Sequence, residues 1–169
     1  MITLNRILVA TDFSEPSDAA LAYGRELATR FGATLHVLHV VENVYANTLG
    51  AENYVAVAPG LQEQLEVDAR QRLKELLIDS DKSGPATVSV VMTATSPAFA
   101  IVNYAKDHAI DVIVTGTHGR GAFAHLIMGS VAERVVRFAP CPVLTVRHPE
   151  HEFVRPDTLV AAAQSAAPR

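Results

Sequence analysis

The stretch richest in potential chemistry runs from Val114 to Val136 and reads Val-Thr-Gly-Thr-His-Gly-Arg-Gly-Ala-Phe-Ala-His-Leu-Ile-Met-Gly-Ser-Val-Ala-Glu-Arg-Val-Val. Gly116 is followed three residues later by Gly119; nine residues then intervene before Gly129-Ser130. A glycine lets backbone N–H groups approach a ligand with no Cβ in the way. Ser130 opens a helical segment, and a helix N-terminus adds unpaired N–H groups and a partial positive charge. Amides of both kinds converging on one place form an anion cradle suited to phosphate. A second reading stands beside the first. Ser130-Val-Ala-Glu133 has the spacing of a capping box, which needs no ligand. Glu133 brings negative charge to the same helix end, and loop glycines also serve as plain turn residues. The pattern is neither the P-loop nor the dinucleotide fingerprint, since no G-x-x-x-x-G-K-[ST] occurs and no G-x-G-x-x-G follows the first strand.

The next candidate is Ala10-Thr11-Asp12, which closes the apolar run Ile7-Leu8-Val9. A carboxylate at a strand end can accept hydrogen bonds from ribose hydroxyls or an adenine amino group. It can equally cap amides of its own turn. His118 and His125 lie in the glycine-rich loop, where one of them could donate to a phosphate. His36 and His39 sit at an odd spacing on a strand, hence on opposite faces, and are expected to be packing or surface residues, not a chelating pair. No cluster has metal-ligand spacing, and no G-x-S-x-G elbow is present. The loop has no lysine and no evident base to position a water, which argues against catalysis. Arg134 and Arg137 read as a solvated helix face. Cys141, the single cysteine, lies between Pro140 and Pro142. It excludes an intrachain disulfide framework and a cysteine-rich zinc site, and it reads as a small packing residue.

Five short β-branched runs carry these residues: Leu4–Ala10, Thr34–Val41, Thr87–Met92, Asp111–Thr115 and Pro142–Val146. Each is of strand length, and runs apolar at successive positions suit strands covered on both faces. Between them lie segments of helical period. Residues 17–31 put Ala20, Tyr23, Leu27, Ala28 and Phe31 on one stripe, with Ser14 and Pro16 before them and Gly32 after. Residues 61–79 carry Leu61, Leu65, Leu73, Leu76 and Leu77. Residues 97–109 follow a Ser96-Pro97 start and offer Ile101, Val102 and Ala105 to the core. Residues 130–138 form the last. The alternation predicts an α/β fold, a doubly wound parallel sheet with right-handed crossovers, whose ligand crevice lies where the winding reverses. Residues 42–60 form a long connection, a lid or partly ordered flap, and residues 148–169 a flexible tail.

Composition bounds the rest. A chain of 169 residues makes one domain. With 49% hydrophobic and 19% charged residues it is not disordered. Only 6% aromatic residues and no Trp argue against stacking on nucleic-acid bases, and a net charge of −4 argues against a phosphate backbone as partner. No signal-peptide pattern opens the sequence, and no apolar run approaches the ~20 residues of a membrane span. The expectation is a cytoplasmic protein that uses neither nucleic acid nor a membrane.

Taken together, these blocks resemble the universal stress protein family, of its ATP-binding type. That family's phosphate-loop pattern is G-x2-G-x9-G-[ST], which Gly116, Gly119, Gly129 and Ser130 match in full. Ile-Leu-Val-Ala-Thr-Asp-Phe-Ser at 7–14, Leu-His-Val-Val at 38–41 and Ala139-Pro-Cys-Pro-Val-Leu-Thr-Val-Arg147 extend the resemblance over about residues 3–147. It implies a single-domain Rossmann-like sheet of five parallel strands in the order 3-2-1-4-5. It also implies a homodimer paired through the last strand (Val143, Leu144, Thr145, Val146) and a site for ATP, or AMP or ADP, with Mg²⁺ bridging the phosphates. By position, Ala10, Thr11 and Asp12 would line the adenine and ribose end, Val40 would meet adenine through its backbone, and Thr115 and Gly116 would flank the ribose. Thr117, His118, Gly119 and Arg120 would approach the phosphates, with Gly129, Ser130 and Val131 closing around them. The function implied is a stress-response regulator. The alternatives are a slow ATPase or phosphotransferase on the same scaffold, and a dimeric scaffold with a vestigial site. Ala10 stands where family members often have Pro, and nothing transfers to residues 42–60 or to the tail.

Overall fold

Ile7, Leu8 and Val9 are three consecutive residues with no exposed surface. Such burial on both faces is possible only in a strand with helices above and below it. The computed structural model, which describes residues 2–46, 58–78, 84–117 and 129–147, builds the chain around that strand. In order, the elements are β1 (Arg6–Thr11), α1 (Glu15–Phe31), β2 (Thr34–Glu42), α2 (Leu61–Ile78), β3 (Thr87–Ala94), α3 (Pro97–Asp107), β4 (Val112–Gly116), α4 (Ser130–Phe138) and β5 (Val143–Val146). The sheet order is β3-β2-β1-β4-β5, every pair parallel. β1 is therefore central, and the winding reverses between it and β4. The expected order is the observed one. Among the described residues, no helix is long and apolar enough to cross a membrane. Most of the 42–60 connection and all of the 148–169 tail lie outside the described residues.

Strand alternation splits the core in two. Ile7, Val9, Leu35, Val37, Val112 and Val114 face Ala20, Leu21 and Ala28 of α1 and Leu73 of α2. Leu8, Ala10, Leu38 and Ile113 face Ala98, Ile101, Tyr104 and Ala105 of α3 and Val135 of α4.

Two helices present faces other than those the large side chains suggest. The buried face of α1 is Ser17, Ala20, Leu21, Gly24 and Ala28, whereas Tyr23 and Phe31 are 46% and 44% exposed. Small residues decide this, because they let the helix lie close against β1. A Cβ built on Gly24 would come within 2.3 Å of Val9 Cγ2, so with any larger residue Val9 or the helix would have to shift. In α2, Ala69 and Leu73 are buried while Leu61 and Leu65 are exposed. The N-terminal half of that helix borders open space above the sheet, not core.

At the amino ends of the strands, polar groups pair with one another. Asp111 Oδ2 accepts the Asn5 and Arg6 amides at 2.6 and 2.9 Å, and the Arg6 guanidinium donates to the His108 carbonyl at 2.7 Å. His36, buried on the α3 side, shares a 2.8 Å hydrogen bond with the Tyr104 hydroxyl, and His108 stacks on the Tyr104 ring. Burial lowers the His36 pKa below its ordinary 6.5, and the neighbouring charges of His108 and Arg6 lower it further.

Candidate functional site

At the carboxyl end of β1 the chain turns sharply into α1. A relay of hydrogen bonds fixes the turn. The Phe13 amide donates to Thr11 Oγ1, which lies 3.0 Å from Ser17 Oγ. The single Ser17 hydroxyl hydrogen goes to the Ser14 carbonyl, so Thr11 is the donor of its pair, and Ser17 Oγ also accepts the Ser14 amide. Asp12 Oδ1 accepts both the amide and the hydroxyl of Ser14. The local capping role read from the sequence is thus realised through one carboxylate oxygen of a residue that also lines the cleft described below. Phe13 adopts φ of +62°, a left-handed conformation costing a non-glycine residue roughly 1–2 kcal/mol. Strain of this kind persists where the surroundings over-determine it.

The neighbouring strand supplies a backbone group to the same place. The Thr34 amide bonds toward β1, to Asn5 O, and the Leu35 amide toward β3, to Ala86 O. Continuing that alternation along β2 points the Val40 backbone groups toward β1. The β1–β2 register ends at Thr11 opposite His39, and the amide that would next meet the Val40 carbonyl, that of Phe13, is donated to Thr11 Oγ1 instead. The Val40 carbonyl therefore faces the space above the end of β1.

On the other side of the crevice, β4 ends at Gly116. A Cβ here would stand 2.9 Å from the Pro16 carbonyl oxygen. This glycine is required by the close passage of α1, a reason distinct from ligand access. Gly129 is the N-cap of α4, with extended backbone and no side-chain cap; its amide bonds to Thr117 O at 2.7 Å. Ser130 is already the first helical residue, so the capping box read at Ser130-Glu133 does not form. A cap needs the half-in position, which Gly129 occupies. Among the described residues, no side-chain oxygen caps the amides of the first turn of α4. Ser96, the expected cap of α3, is its N-cap residue but makes no side-chain cap bond either, and its buried hydroxyl has no partner among the described residues.

Ala10, Thr11, Asp12, Val40, Thr115, Gly116, Thr117, Gly129, Ser130 and Val131 all line one cleft of about 990 Å³, at the upper end of the range for ligand clefts, ~300–1,000 Å³. It opens at the carboxyl edge of the sheet, at the switch point between β1 and β4. His118, Gly119 and Arg120, and with them His125, lie outside the described residues. The sequence reading missed Phe13 and His39 on the α1–α2 side of the cleft, Pro97 and Ile101 on the α3 side, and Leu65 and Arg72 of α2. Pro97 was findable, since it follows β3 at the same edge of the sheet. Arg72 was not, because only the packing of α2 brings it there. His36 and His39 point to opposite faces as expected. The Cys141 thiol is half-buried, and burial, with the Asp111 charge, pushes its pKa up, which suits packing. Arg137 is exposed beside Glu133. Among the described residues, no three His, Cys, Asp or Glu groups are placed to hold a metal ion.

Residues 3–147 match the universal stress protein family. The chain belongs to that family. A universal stress protein of Thermus aquaticus is 34% identical over 141 residues, which are 83% of this chain and 97% of that one. The solved universal stress protein UspA from Lactobacillus plantarum superposes with a TM-score of 0.70 at 30% identity, covering 87% of this chain and all of the other. A universal stress protein from Archaeoglobus fulgidus, solved in complex with dAMP, shares the fold at 20% identity and a TM-score of 0.60, over 86% of this chain and 99% of that one.

Proposed function

We propose that the cleft binds an adenine nucleotide, ATP with Mg²⁺, and that this universal stress protein is a cytoplasmic stress-response regulator whose nucleotide state is its signal. The observation that carries the reading is the gathering of three complementary groups around one hollow. The Asp12 carboxylate can accept ribose hydroxyls. The Val40 carbonyl faces the place where an adenine amino group would donate. The amides of the first α4 turn, which carry no side-chain cap among the described residues, offer donors and partial positive charge to a phosphate chain. Ala10, Leu38 and Ile101 give the base an apolar bed. A fold neighbour solved with dAMP is in keeping with this. Mg²⁺ would bridge the phosphates in this reading; among the described residues no three His, Cys, Asp or Glu groups are placed to hold an ion by themselves. His118, Gly119 and Arg120 complete the phosphate end in this reading, and β5 serves as the dimer edge. That role fits a four-residue strand at the rim of the sheet with Leu144 38% exposed.

The test is direct. Mass spectrometry of small molecules released on denaturing the purified protein identifies any resident nucleotide. Added ATP or AMP raises the melting temperature, because a ligand at 100 times its Kd stabilises by about 2.7 kcal/mol. No nucleotide released and no thermal shift at millimolar concentration would overturn the reading.

A further inference from the structure

Three exposed arginines follow one rule. Arg30, Arg70 and Arg137 each pair with a glutamate four residues earlier on the same helix, Glu26, Glu66 and Glu133. Arg72 of α2 has Asp68 at the same spacing, yet makes no ion pair among the described residues. Its guanidinium instead lies over the Phe13 ring, 4.6 Å from the centroid. The His39 ring is also packed against Phe13, at 4.3 Å between centroids, and His39 Nδ1 donates to the Thr11 carbonyl at 2.8 Å. Phe13 is the residue held at φ of +62°, between Asp12 and Ser14. The stack thus grips the strained residue of the turn that carries the cleft carboxylate, and one end of the grip belongs to a helix from a different part of the chain.

We propose that Arg72 is a positioning residue for the nucleotide site, acting through Phe13 to hold Asp12 in its ligand-ready place. The proposal rests on the nucleotide reading above. Asp12 and Phe13 share a peptide plane, so their conformations are not independent. Removing the cation releases one side of the ring, and the turn gains access to conformations in which the Asp12 carboxylate leaves the cleft. Nucleotide affinity falls by the fraction of time the turn spends there. An exposed cation–π contact corresponds to about a two- to fivefold change. The same strut makes α2 responsive to the ligand, because any shift of the turn on binding is felt at Arg72.

The test uses the full chain, with Arg72→Ala, Arg72→Lys and Phe13→Leu. Hydrogen exchange reads the strut: in Arg72→Ala the Phe13 and Ser14 amides exchange faster, while the melting temperature stays within about 2 °C of the parent. Titration with ATP or AMP reads its consequence. Arg72→Ala binds about two- to fivefold more weakly, Arg72→Lys recovers most of the loss, and Arg72→Ala adds nothing once Phe13 is Leu. Unchanged exchange at the turn overturns the strut. Faster exchange with unchanged affinity overturns the positioning role. A parent protein that binds no nucleotide overturns the reading on which that role rests, and it is told apart from the other failures because the exchange measurement needs no ligand.

Discussion

The two ends of the sheet use similar residues in opposite ways. At the amino end, Asp111, Arg6, His36, Tyr104 and His108 satisfy one another or nearby backbone. At the carboxyl end, Asp12, the Val40 carbonyl and the first turn of α4 stand around a cleft of about 990 Å³. The same strands run through both ends, so strand propensity does not separate them. The difference is closure. A polar group enclosed by protein partners stabilises the fold, whereas polar groups that border a hollow can also meet something that enters it. Changes at the amino end should therefore move stability and leave binding alone, and most changes at the carboxyl end should do the reverse.

The sharpest exception to that division is Gly116, where a site residue is also a packing residue. Gly116→Val sets a branched side chain against Pro16, whose carbonyl oxygen would lie 2.9 Å from the new Cβ. Overpacking against backbone costs about 2–3 kcal/mol. Thermal unfolding should show a drop of roughly 4–10 °C for a chain of this size, with nucleotide binding lost as well. A variant of unchanged stability would show that the approach of α1 is not what demands glycine.

Asp12→Asn isolates the ligand role of the carboxylate. The amide oxygen can still accept from Ser14, so stability should change by less than about 1 kcal/mol. The loss of a charged acceptor should weaken ATP binding by about 10- to 100-fold in a calorimetric titration. Equal affinity in the variant would leave Asp12 with its capping role alone.

At the closed end the expected signature is pH. Because the folded-state pKa of His36 lies below 6.5, the unfolded chain takes up its proton first as the pH falls through that value. Stability is then lost below pH 6.5 until the folded protein is protonated too, with a slope of at most about 1.4 kcal/mol per pH unit. The groups facing His36, namely Arg6, His108 and Tyr104, offer no carboxylate to offset this. His36→Phe should cost about 1 kcal/mol at neutral pH through the lost Tyr104 bond. Its denaturation midpoint should fall less steeply than the parent's between pH 6.5 and 5. Parallel curves for the two proteins would show that His36 does not carry the acid sensitivity.

Much of this was legible in the sequence, and the failures share a cause. The strand runs and helix periods stood out because local pattern sets them, and the glycine spacing with Asp12 led to one cleft. The α1 face was misread because Tyr23 and Phe31 outweighed Gly24, whose value lies in what it lets approach. Gly116 lines the cleft, and nothing in the sequence marked the second demand on it, that a Cβ there would meet Pro16. The capping box slipped by one residue because Gly129, carrying no side chain, took the cap position. The Arg72–Phe13–His39 stack could not be foreseen, since it depends on how α2 lies across the end of β1, and a positive φ at a phenylalanine has no sequence signal.

Backbone amide NMR during an ATP titration tests the central claim most directly, because it reports on both ends of the sheet at once. The account predicts saturable shifts at Asp12, Val40, Gly129, Ser130 and Val131, with Arg6, His36 and Asp111 unmoved. Shifts confined to the amino-end residues, or none anywhere at millimolar ATP, would contradict it.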